Sequence, residues 1–277
     1  MLDYLYHTKN GRRILKVLTA RGVSQAVGRV MDSPLSRPLI PLFVHKTGIR
    51  VEDYDCSQVR TFNDFFCRPI RRGKRPFAAD PQVLPSPCDG LLSAYRITKD
   101  MIIPVKQSRY SLRSLLKSRK LATQYEGGVC LVLRLCVDHY HRYAYVDNGV
   151  KGRNVFIPGV LHTVQPVALE AGPVFTQNCR EYTVIRTEHF GKMVQMEVGA
   201  MLVGKIDNYH GCGAVCRGQE KGRFLYGGST IILLFEPGKV HIPGRVFRAT
   251  REGREIPVRM GQKIGYSRVA TEKTGRG

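Results

Sequence analysis

Four consecutive residues, Gly227, Gly228, Ser229 and Thr230, place a hydroxyl side chain directly after two glycines and before an apolar run. Glycine allows backbone conformations that other residues avoid, so the Ser229 hydroxyl could attack the carbonyl of Gly228, in its own preceding peptide bond. Such an attack needs a base to take the hydroxyl proton, and usually a third group that orients the base. By itself, the tetrapeptide is also typical of an ordinary turn.

Three residues elsewhere are candidate partners for Ser229. Asp89 lies in a Pro-rich segment, residues 84–90, that would hold a carboxylate at the start of a strand. His141 follows an apolar run that ends near Val137, and His162 lies in the segment 158–166. Each residue also fits a structural role, because Asp-Gly pairs are common in turns and isolated histidines are common in cores.

Other catalytic and ligand-binding motifs are not found. The chain has no phosphate-binding glycine loop in a strand–helix context, no G-x-S-x-G and no H-E-x-x-H. Its eight cysteines include no C-x-x-C pair, and Cys212 and Cys216 have no His or Cys partner at the spacing of a zinc site. The sequence therefore predicts no metal site, and reduced thiols in a reducing compartment.

Residues 1–60 are predicted to form a basic, amphipathic helical arm. The first 50 residues contain nine Lys or Arg against Asp3 and Asp32, and apolar residues recur at three- and four-residue steps. Ser24 is a plausible N-cap, and prolines at 34 and 38 interrupt the pattern. Such an arm could lie on a membrane interface, or it could pack on the protein with a solvated basic face. The two alternatives are compatible.

A second basic helix is predicted over residues 106–120, with Ser111 as its N-cap and an apolar edge of leucines. Its basic stripe would be either a solvated face or a contact for anions and lipids.

From residue 129 onward, short runs rich in Val, Ile, Leu and Tyr alternate with Gly, Pro and Asn, which predicts closely spaced strands. We therefore expect an α+β fold, with a β-rich catalytic domain over residues 61–277 and the helical arm before it. The predicted strands are residues 129–135, 143–147, 155–157, 182–187, 193–203 and 230–235.

The formal charge of +22 favours an acidic partner, either nucleic acid or an anionic membrane surface. The basic residues are not interleaved with aromatics, Trp is absent, and no RNA-binding or zinc-finger pattern is present. These features favour the membrane. The sequence has no run of about 18 apolar residues and no apolar core of a secretory signal, so neither a transmembrane helix nor secretion is expected.

Seven segments, in order along nearly the whole chain, together resemble the phosphatidylserine decarboxylase family, whose members are self-cleaving and pyruvoyl-dependent. The last segment resembles G-x-E-x-G-x-F followed by G-S-T and an apolar strand, whereas residues 140–142 resemble part of D-Y-H-R. Any one segment is weak evidence, but a coincidence of all of them in order is improbable. The segments are residues 61–68, 84–90, 109–116, 140–142, 157–169, 190–204 and 218–235.

The resemblance implies self-cleavage between Gly228 and Ser229 by an N→O acyl shift and β-elimination. Residues 1–228 would become the β chain and residues 229–277 the α chain, with Ser229 converted to a pyruvoyl group. That group would form a Schiff base with phosphatidylserine and yield phosphatidylethanolamine and CO2. The resemblance also implies a processing triad of Asp89, a histidine and Ser229. It further implies a homo-oligomer of αβ units that acts on the cytoplasmic face of the cell membrane and does not bind nucleic acid.

The sequence departs from the family pattern at two positions. The aspartate of the pattern is displaced, since His139 stands directly before Tyr140 and Asp138 comes before it. The pattern often reads D-Y-H-R-x-H, and Ala144 stands where the second histidine would be. His141 matches the first histidine and is the favoured base, with His162 as the substitute. Three alternatives stay open: a pyruvoyl decarboxylase of a soluble amino acid, a non-catalytic basic protein that binds nucleic acid, and an inactive member of the family, which Ala144 would explain.

Overall fold

The computed structural model describes residues 8, 10, 21–100, 102–105, 108–159, 174–199, 206–225 and 229–268. His162 and Gly228 lie outside these ranges. Within them, many antiparallel strands and a few short helices form the β-rich α+β fold that the sequence predicts.

A nine-stranded antiparallel sheet forms the centre of the molecule, and its strands come mostly from the apolar runs of the sequence. Its order is β12-β7-β9-β10-β14-β5-β2-β16, and β8 also pairs with β9. The strands are β2 (Gly90–Arg96), β5 (Val129–Leu135), β7 (Gly149–Lys151), β8 (Val155–Ile157), β9 (Arg180–Thr187), β10 (Lys192–Gly199), β12 (Gly213–Val215), β14 (Ser229–Phe235) and β16 (Ile256–Val258).

Both faces of this sheet are covered, which explains why β5 and β14 are apolar without alternation. Ile231 and Leu233 belong to the core on one face, whereas Ile232 and Leu234 belong to the core on the other. We call the face that contains Ile231 and Leu233 the inner face.

Two three-stranded sheets and a helix supply the layer on the inner face. One sheet has the order β11-β13-β6 and the other β1-β17-β15. Residues of both sheets share a core with β5 and β14, as does Val246 of the helix. These elements are β1 (Val83–Pro85), β6 (Arg142–Ala144), β11 (Ile206–Asn208), β13 (Glu220–Phe224), β15 (Val240–His241), β17 (Lys263–Ser267) and the helix Gly244–Arg251.

The opposite face is covered by short elements, most of which lie within residues 102–123. The hairpin β3 (Ile102–Val105) and β4 (Ser108–Ser111) precedes the helices Leu112–Leu116 and Arg119–Thr123. Leu112, Leu115 and Leu116 are buried in the core of this face, and so is Phe175 of the helix Val174–Gln177.

The single helix predicted over residues 106–120 is wrong. Residues 108–111 pair with β3 instead, and the helix that begins after Ser111 ends at Lys117, which adopts a left-handed conformation with φ of 52°. Ser118 then caps a new helix by accepting a hydrogen bond from the N–H of Leu121. Hairpin pairing and a competing cap therefore divide a segment whose local pattern is helical.

The described part of the N-terminal arm contains α1 (Arg21–Met31) and α2 (Leu39–Thr47), with a 3-10 turn between them. Ser24 lies inside α1, so its prediction as an N-cap is wrong. The arm contacts α3 (Phe62–Phe66), since the N–H of Phe62 donates to Ser36 Oγ at 2.8 Å. Met31, Ile40 and Phe43 pack against the buried residues of α3.

None of the described helices is both long and apolar enough to cross a membrane. All eight cysteines are free thiols.

Candidate functional site

Ser229 is the first residue of β14, where it is paired on both sides. Its partners are Gly199 on β10 and Leu135 on β5. The residue is fully buried, and among the described residues its Oγ has no hydrogen-bond partner. A buried hydroxyl without a partner is unfavourable for stability, and such groups are often found where a protein carries out chemistry. Ser229 therefore combines a nucleophilic oxygen with a position at the end of the central sheet.

Asp89 lies at the same end of the sheet. On β5, Arg134 pairs with Leu91 of β2 on one side and with Thr230 of β14 on the other. One residue further along β5, Gly90 and Ser229 therefore lie on either side of Leu135. With strands about 4.8 Å apart, the backbones of Gly90 and Ser229 are roughly 10 Å apart. Asp89 directly precedes Gly90 and is buried.

The Asp89 carboxylate is bound by Arg75 in a bidentate ion pair. Arg75 Nε and Nη2 donate to Oδ1 and Oδ2 at 2.8 and 2.6 Å, and the N–H of Met260 donates to Oδ1 at 2.8 Å. Both side chains of the ion pair are less than a tenth exposed. No histidine is hydrogen-bonded to Asp89 within the described residues. The sequence did not reveal Arg75 as the partner of Asp89.

A tight turn at the end of β5 brings His139 close to Asp89. The N–H of His139 donates to the carbonyl of Cys136, and the N–H of Cys136 donates to His139 Nδ1, both at 3.0 Å. Burial lowers the pKa of His139, although the carboxylates of Asp138 and Asp89 oppose this effect. His139 is therefore a mainly neutral imidazole at neutral pH.

Asp89 and His139 line one cavity of about 370 Å³, which also receives three arginines. The N-terminal arm supplies one wall and the end of β16 supplies another. The lining residues are Thr47, Gly48, Ile49, Arg50, Asp53, Tyr54, Arg75, Asp89, Gly90, Asp138, His139, Pro257, Val258, Arg259 and Gln262. A polar cavity that is rich in arginine suits a small anionic group.

His141 is fully buried outside the lining of this cavity. Its ring lies 4.0 Å from that of Phe66, and its Nδ1 donates to the carbonyl of His139 at 2.9 Å. In the neutral ring, Nε2 is then the nitrogen that can accept a proton. The N–H of Phe224 donates to the carbonyl of His141 and so joins this residue to the end of β13, five residues before Ser229.

Ala144 contacts both β10 and the segment before β2. Its carbonyl accepts a hydrogen bond from Gln195 Nε2, and its N–H donates to the carbonyl of Pro87. His141 precedes the other end of β6, beside the end of β13 from which the chain continues towards Ser229.

His189 is remote from the site. Its Nδ1 pairs with Asp147 at 3.0 Å beside the hairpin that precedes β10. Lys192, at that end of β10, is seven residues from Gly199, or roughly 24 Å.

Three potential metal ligands occur in the turn after β5. Ligand atoms of Cys136, Asp138 and His139 lie within 4.8 Å of one another. Two are already engaged, because Arg134 Nη1 donates to Cys136 Sγ at 3.3 Å and the N–H of Cys136 occupies His139 Nδ1. These contacts fit a structured turn.

A buried ion pair on the inner face was not expected from the sequence. Lys221 Nζ donates to Glu197 Oε2 at 2.6 Å, and both side chains are fully buried. Asn208 contacts both of them and also Glu181. Burial raises the pKa of Glu197 and lowers that of Lys221, whereas their mutual attraction favours the charged forms. Ala144 pairs with Glu220, the residue that precedes Lys221, and therefore lies beside this ion pair.

These positions group the polar residues around the start of β14. The site offers a buried hydroxyl, two histidines and a clamped carboxylate beside an arginine-lined cavity. Such a set can remove protons from a serine and bind an anionic substrate next to it.

Comparison with known proteins identifies the family of the chain. A family model described as Phosphatidylserine decarboxylase matches residues 62–266. Phosphatidylserine decarboxylase proenzyme 2 of Clostridium acetobutylicum is 38% identical over 265 residues, which cover 95% of this chain and 91% of that protein. Phosphatidylserine decarboxylase proenzymes of Clostridium novyi and Clostridium tetani are 38% and 37% identical over 270 residues, covering 95% and 96% of this chain and 92% and 91% of theirs.

The family model and these relatives identify the chain as a decarboxylase, which is a carboxy-lyase. The chain belongs to the phosphatidylserine decarboxylase family.

Proposed function

We propose that this protein converts phosphatidylserine to phosphatidylethanolamine and CO2 after it has cleaved itself between Gly228 and Ser229. The observation that carries the proposal is the Ser229 hydroxyl, which is buried without a partner at the first position of a central strand. Ser229 also lies in the segment that resembles the family's cleavage motif.

Self-cleavage removes two protons from Ser229. The hydroxyl proton leaves when Oγ bonds to the carbonyl carbon of residue 228, and the peptide nitrogen of Ser229 gains a proton as the C–N bond breaks. The Cα proton leaves in the elimination that breaks the Cβ–Oγ bond and releases the carboxyl group of residue 228. Water then replaces the nitrogen of the α chain, which departs as ammonia.

We assign Asp89 and His141 to these proton transfers, with His162 as the substitute for His141. Support comes from the position of Asp89 two strands from Ser229 and from the tie between His141 and the end of β13. Among the described residues, Asp89 is hydrogen-bonded to Arg75 and Met260 and to no histidine, so we assign it an electrostatic role.

The residues around Ser229 fit a covalent pyruvoyl group formed there. Once formed, that group supplies a ketone that binds the substrate amine and accepts the electron pair left by the departing CO2. The arginine-lined cavity suits the phosphate and carboxylate of the headgroup, because guanidinium groups bind both. Neutral His139, which lines this cavity, is placed to move a proton at the substrate.

We propose that the arm, residues 1–60, holds the enzyme on the cytoplasmic face of the cell membrane. Leu35, Leu39 and Leu42 are exposed, with Leu35 at 87% and Leu42 at 67%. Arg37 and Lys46 are exposed beside them. Exposed leucines beside basic residues suit an interface that contains anionic lipid. We also propose that the αβ units form a homo-oligomer and that the enzyme does not bind nucleic acid.

The test is the mass of the native protein measured after denaturation. We expect two chains, residues 1–228 and 229–277, with the second lighter by one ammonia than a chain that begins with serine. Ser229→Ala and Asp89→Asn should remain uncut. An intact wild-type chain of 31.2 kDa would refute the proposal.

The histidines are tested in the same assay. His141→Ala should block cleavage, or allow cleavage but impair decarboxylation if His141 serves only turnover, and His162→Ala should show the opposite pattern. Wild-type cleavage rates in both variants would refute this assignment.

The main alternative is a pyruvoyl decarboxylase of a soluble amino acid. Release of CO2 from phosphatidylserine vesicles, compared with release from free serine, separates the two. The exposed leucines and basic residues of the arm favour the lipid.

A further inference from the structure

Two buried oxygen atoms without hydrogen-bond partners lie on the same face of neighbouring strands. One is Ser229 Oγ, and the other is Glu197 Oε1. Neither has a partner among the described residues, although an unpaired buried polar group is costly. One of them donates a hydrogen bond and the other accepts, so their needs are complementary.

The register of the sheet places these two residues close together. Ser229 pairs with Gly199, and Glu197 pairs with Ile231, so Ser229 and Glu197 are diagonal neighbours. Diagonal neighbours of an antiparallel pair have Cα atoms about 7–8 Å apart, within reach of a long side chain. Gly199, directly opposite Ser229, has no side chain to separate them.

The other carboxylate oxygen of Glu197 is fixed. Oε2 accepts hydrogen bonds from Lys221 Nζ at 2.6 Å and from Asn208 Nδ2 at 3.2 Å. Lys221 belongs to β13, the strand that leads towards Ser229, and Glu197 belongs to β10, which pairs with the strand that Ser229 begins. The ion pair therefore joins the two layers beside the cleavage site and leaves one carboxylate oxygen available.

The surroundings of Ala144 strengthen the argument. Ala144 stands where the family pattern often has a second histidine, and the buried carboxylate of Glu197 lies in the same patch between the layers. Self-cleavage needs two proton acceptors or one that acts twice, and a desolvated carboxylate is a competent general base.

We propose that Glu197 accepts the hydroxyl proton of Ser229 in the acyl shift and that Lys221 orients it. Oγ then bonds to the carbonyl carbon of residue 228, the C–N bond breaks, and Glu197 returns the proton to the nitrogen of Ser229. His141 is left to take the Cα proton in the elimination. This inference rests on the proposed self-cleavage.

The experiment follows the cleavage of freshly purified proenzyme at neutral pH with and without hydroxylamine. Under these conditions hydroxylamine cuts an ester but leaves peptide bonds intact, including Asn10–Gly11 and Asn148–Gly149. We expect Glu197→Gln to cleave about 100-fold more slowly than wild type, the range of a lost general base, and hydroxylamine to leave it uncut because no ester forms. His141→Ala should accumulate the ester, so hydroxylamine should cut it. Glu181→Gln is the matched control: it removes another carboxylate of the same network, away from Ser229, and should cleave like wild type.

Loss of one charge can impair folding, so a second variant replaces the pair. Glu197→Leu with Lys221→Met keeps the volume and removes both charges, a change that is often neutral or stabilising. We expect wild-type thermal stability and cleavage as slow as in Glu197→Gln.

Cleavage of this double variant within twofold of wild type would overturn the inference, as would rapid cutting of Glu197→Gln by hydroxylamine. Either result leaves the proposed function intact if wild type still cleaves. Failure of wild type to cleave would refute the proposed function itself.

Discussion

Asp89 and Arg75 form a buried ion pair in which each residue depends on the other. A buried ion pair stabilises the folded state little more than apolar residues of the same volume would. However, the loss of one member leaves an uncompensated buried charge. Arg75 thus holds in place the carboxylate that we assign to self-cleavage.

The first prediction concerns Arg75→Met. We expect the free energy of unfolding to fall by about 3–5 kcal/mol, because the Asp89 carboxylate loses its cation. Urea denaturation of the Ser229→Ala background, which avoids cleavage, measures this change. Arg254→Met is the control, since Arg254 pairs with Glu252 at the surface and should change stability by at most about 1 kcal/mol. Equal effects of the two variants would contradict the prediction.

The second prediction concerns His139 and pH. Burial lowers the pKa of His139 in the folded protein below that of the unfolded chain. As pH falls below the unfolded pKa of about 6.5, the unfolded chain gains a proton first, so the folded state loses stability. The loss is complete below the folded pKa and absent above pH 7.5.

His139→Gln should remove this part of the pH dependence. The measurement is urea denaturation at pH 7.5 and at pH 5.5 for both proteins. A difference between the two pH values that is as large in His139→Gln as in wild type would show that other groups cause it.

Among the elements, α3 connects the arm to the site. Its N-terminus is a capping box, in which Thr61 Oγ1 accepts from the N–H of Asp64 and Asp64 Oδ2 accepts from the N–H of Thr61. Its C-terminal residue, Phe66, packs on the ring of His141. The helix has only five residues, so its stability depends on this cap and on packing.

The third prediction tests the cap. Thr61→Ala should lower the free energy of unfolding by about 1 kcal/mol. Thr61→Ser should cause a smaller decrease, because the hydroxyl that forms the cap remains. Thermal denaturation of both variants in the Ser229→Ala background is the measurement. A loss that is as large for serine as for alanine would instead attribute the effect to the methyl group of Thr61.

At the scale of the whole molecule, the two basic surfaces lie on different sides of the central sheet. The arm contacts α3 and, through it, the layer on the inner face. Exposed Arg113, Lys117 and Lys120 belong to the helices that cover the opposite face. A flat membrane that meets the leucines of the arm is therefore not expected to meet these basic residues equally well.

The fourth prediction compares these surfaces by vesicle sedimentation. Replacement of Leu35, Leu39 and Leu42 by serine should weaken binding to anionic vesicles at least about tenfold, because a buried leucine contributes about 1.5–3 kcal/mol. Replacement of Arg113, Lys117 and Lys120 by alanine should have a smaller effect. High salt should weaken wild-type binding, since basic residues attract anionic lipid. The reverse order of the two variants would assign membrane contact to the opposite face.

The amino-acid sequence by itself determined several strands of the central sheet, although β2, β7, β12 and β16 were not predicted. Residues 129–135 are buried throughout as β5, and residues 155–157 are β8, as their apolar and β-branched composition predicts. It also determined the candidate nucleophile and the carboxylate, because Ser229 and Asp89 lie in short local motifs. Local composition is sufficient for such inferences, since it sets burial and turn propensity.

Only the tertiary structure decided which groups meet. Asp89, His139 and Ser229 come together through the pairing of β2, β5 and β14, and the Glu197–Lys221 pair forms where β13 crosses β10. Strand order, register and layer stacking depend on contacts between residues far apart in the chain, which no local periodicity encodes. For the same reason, the pattern over residues 106–120 was helical, whereas pairing with β3 made its first part a strand.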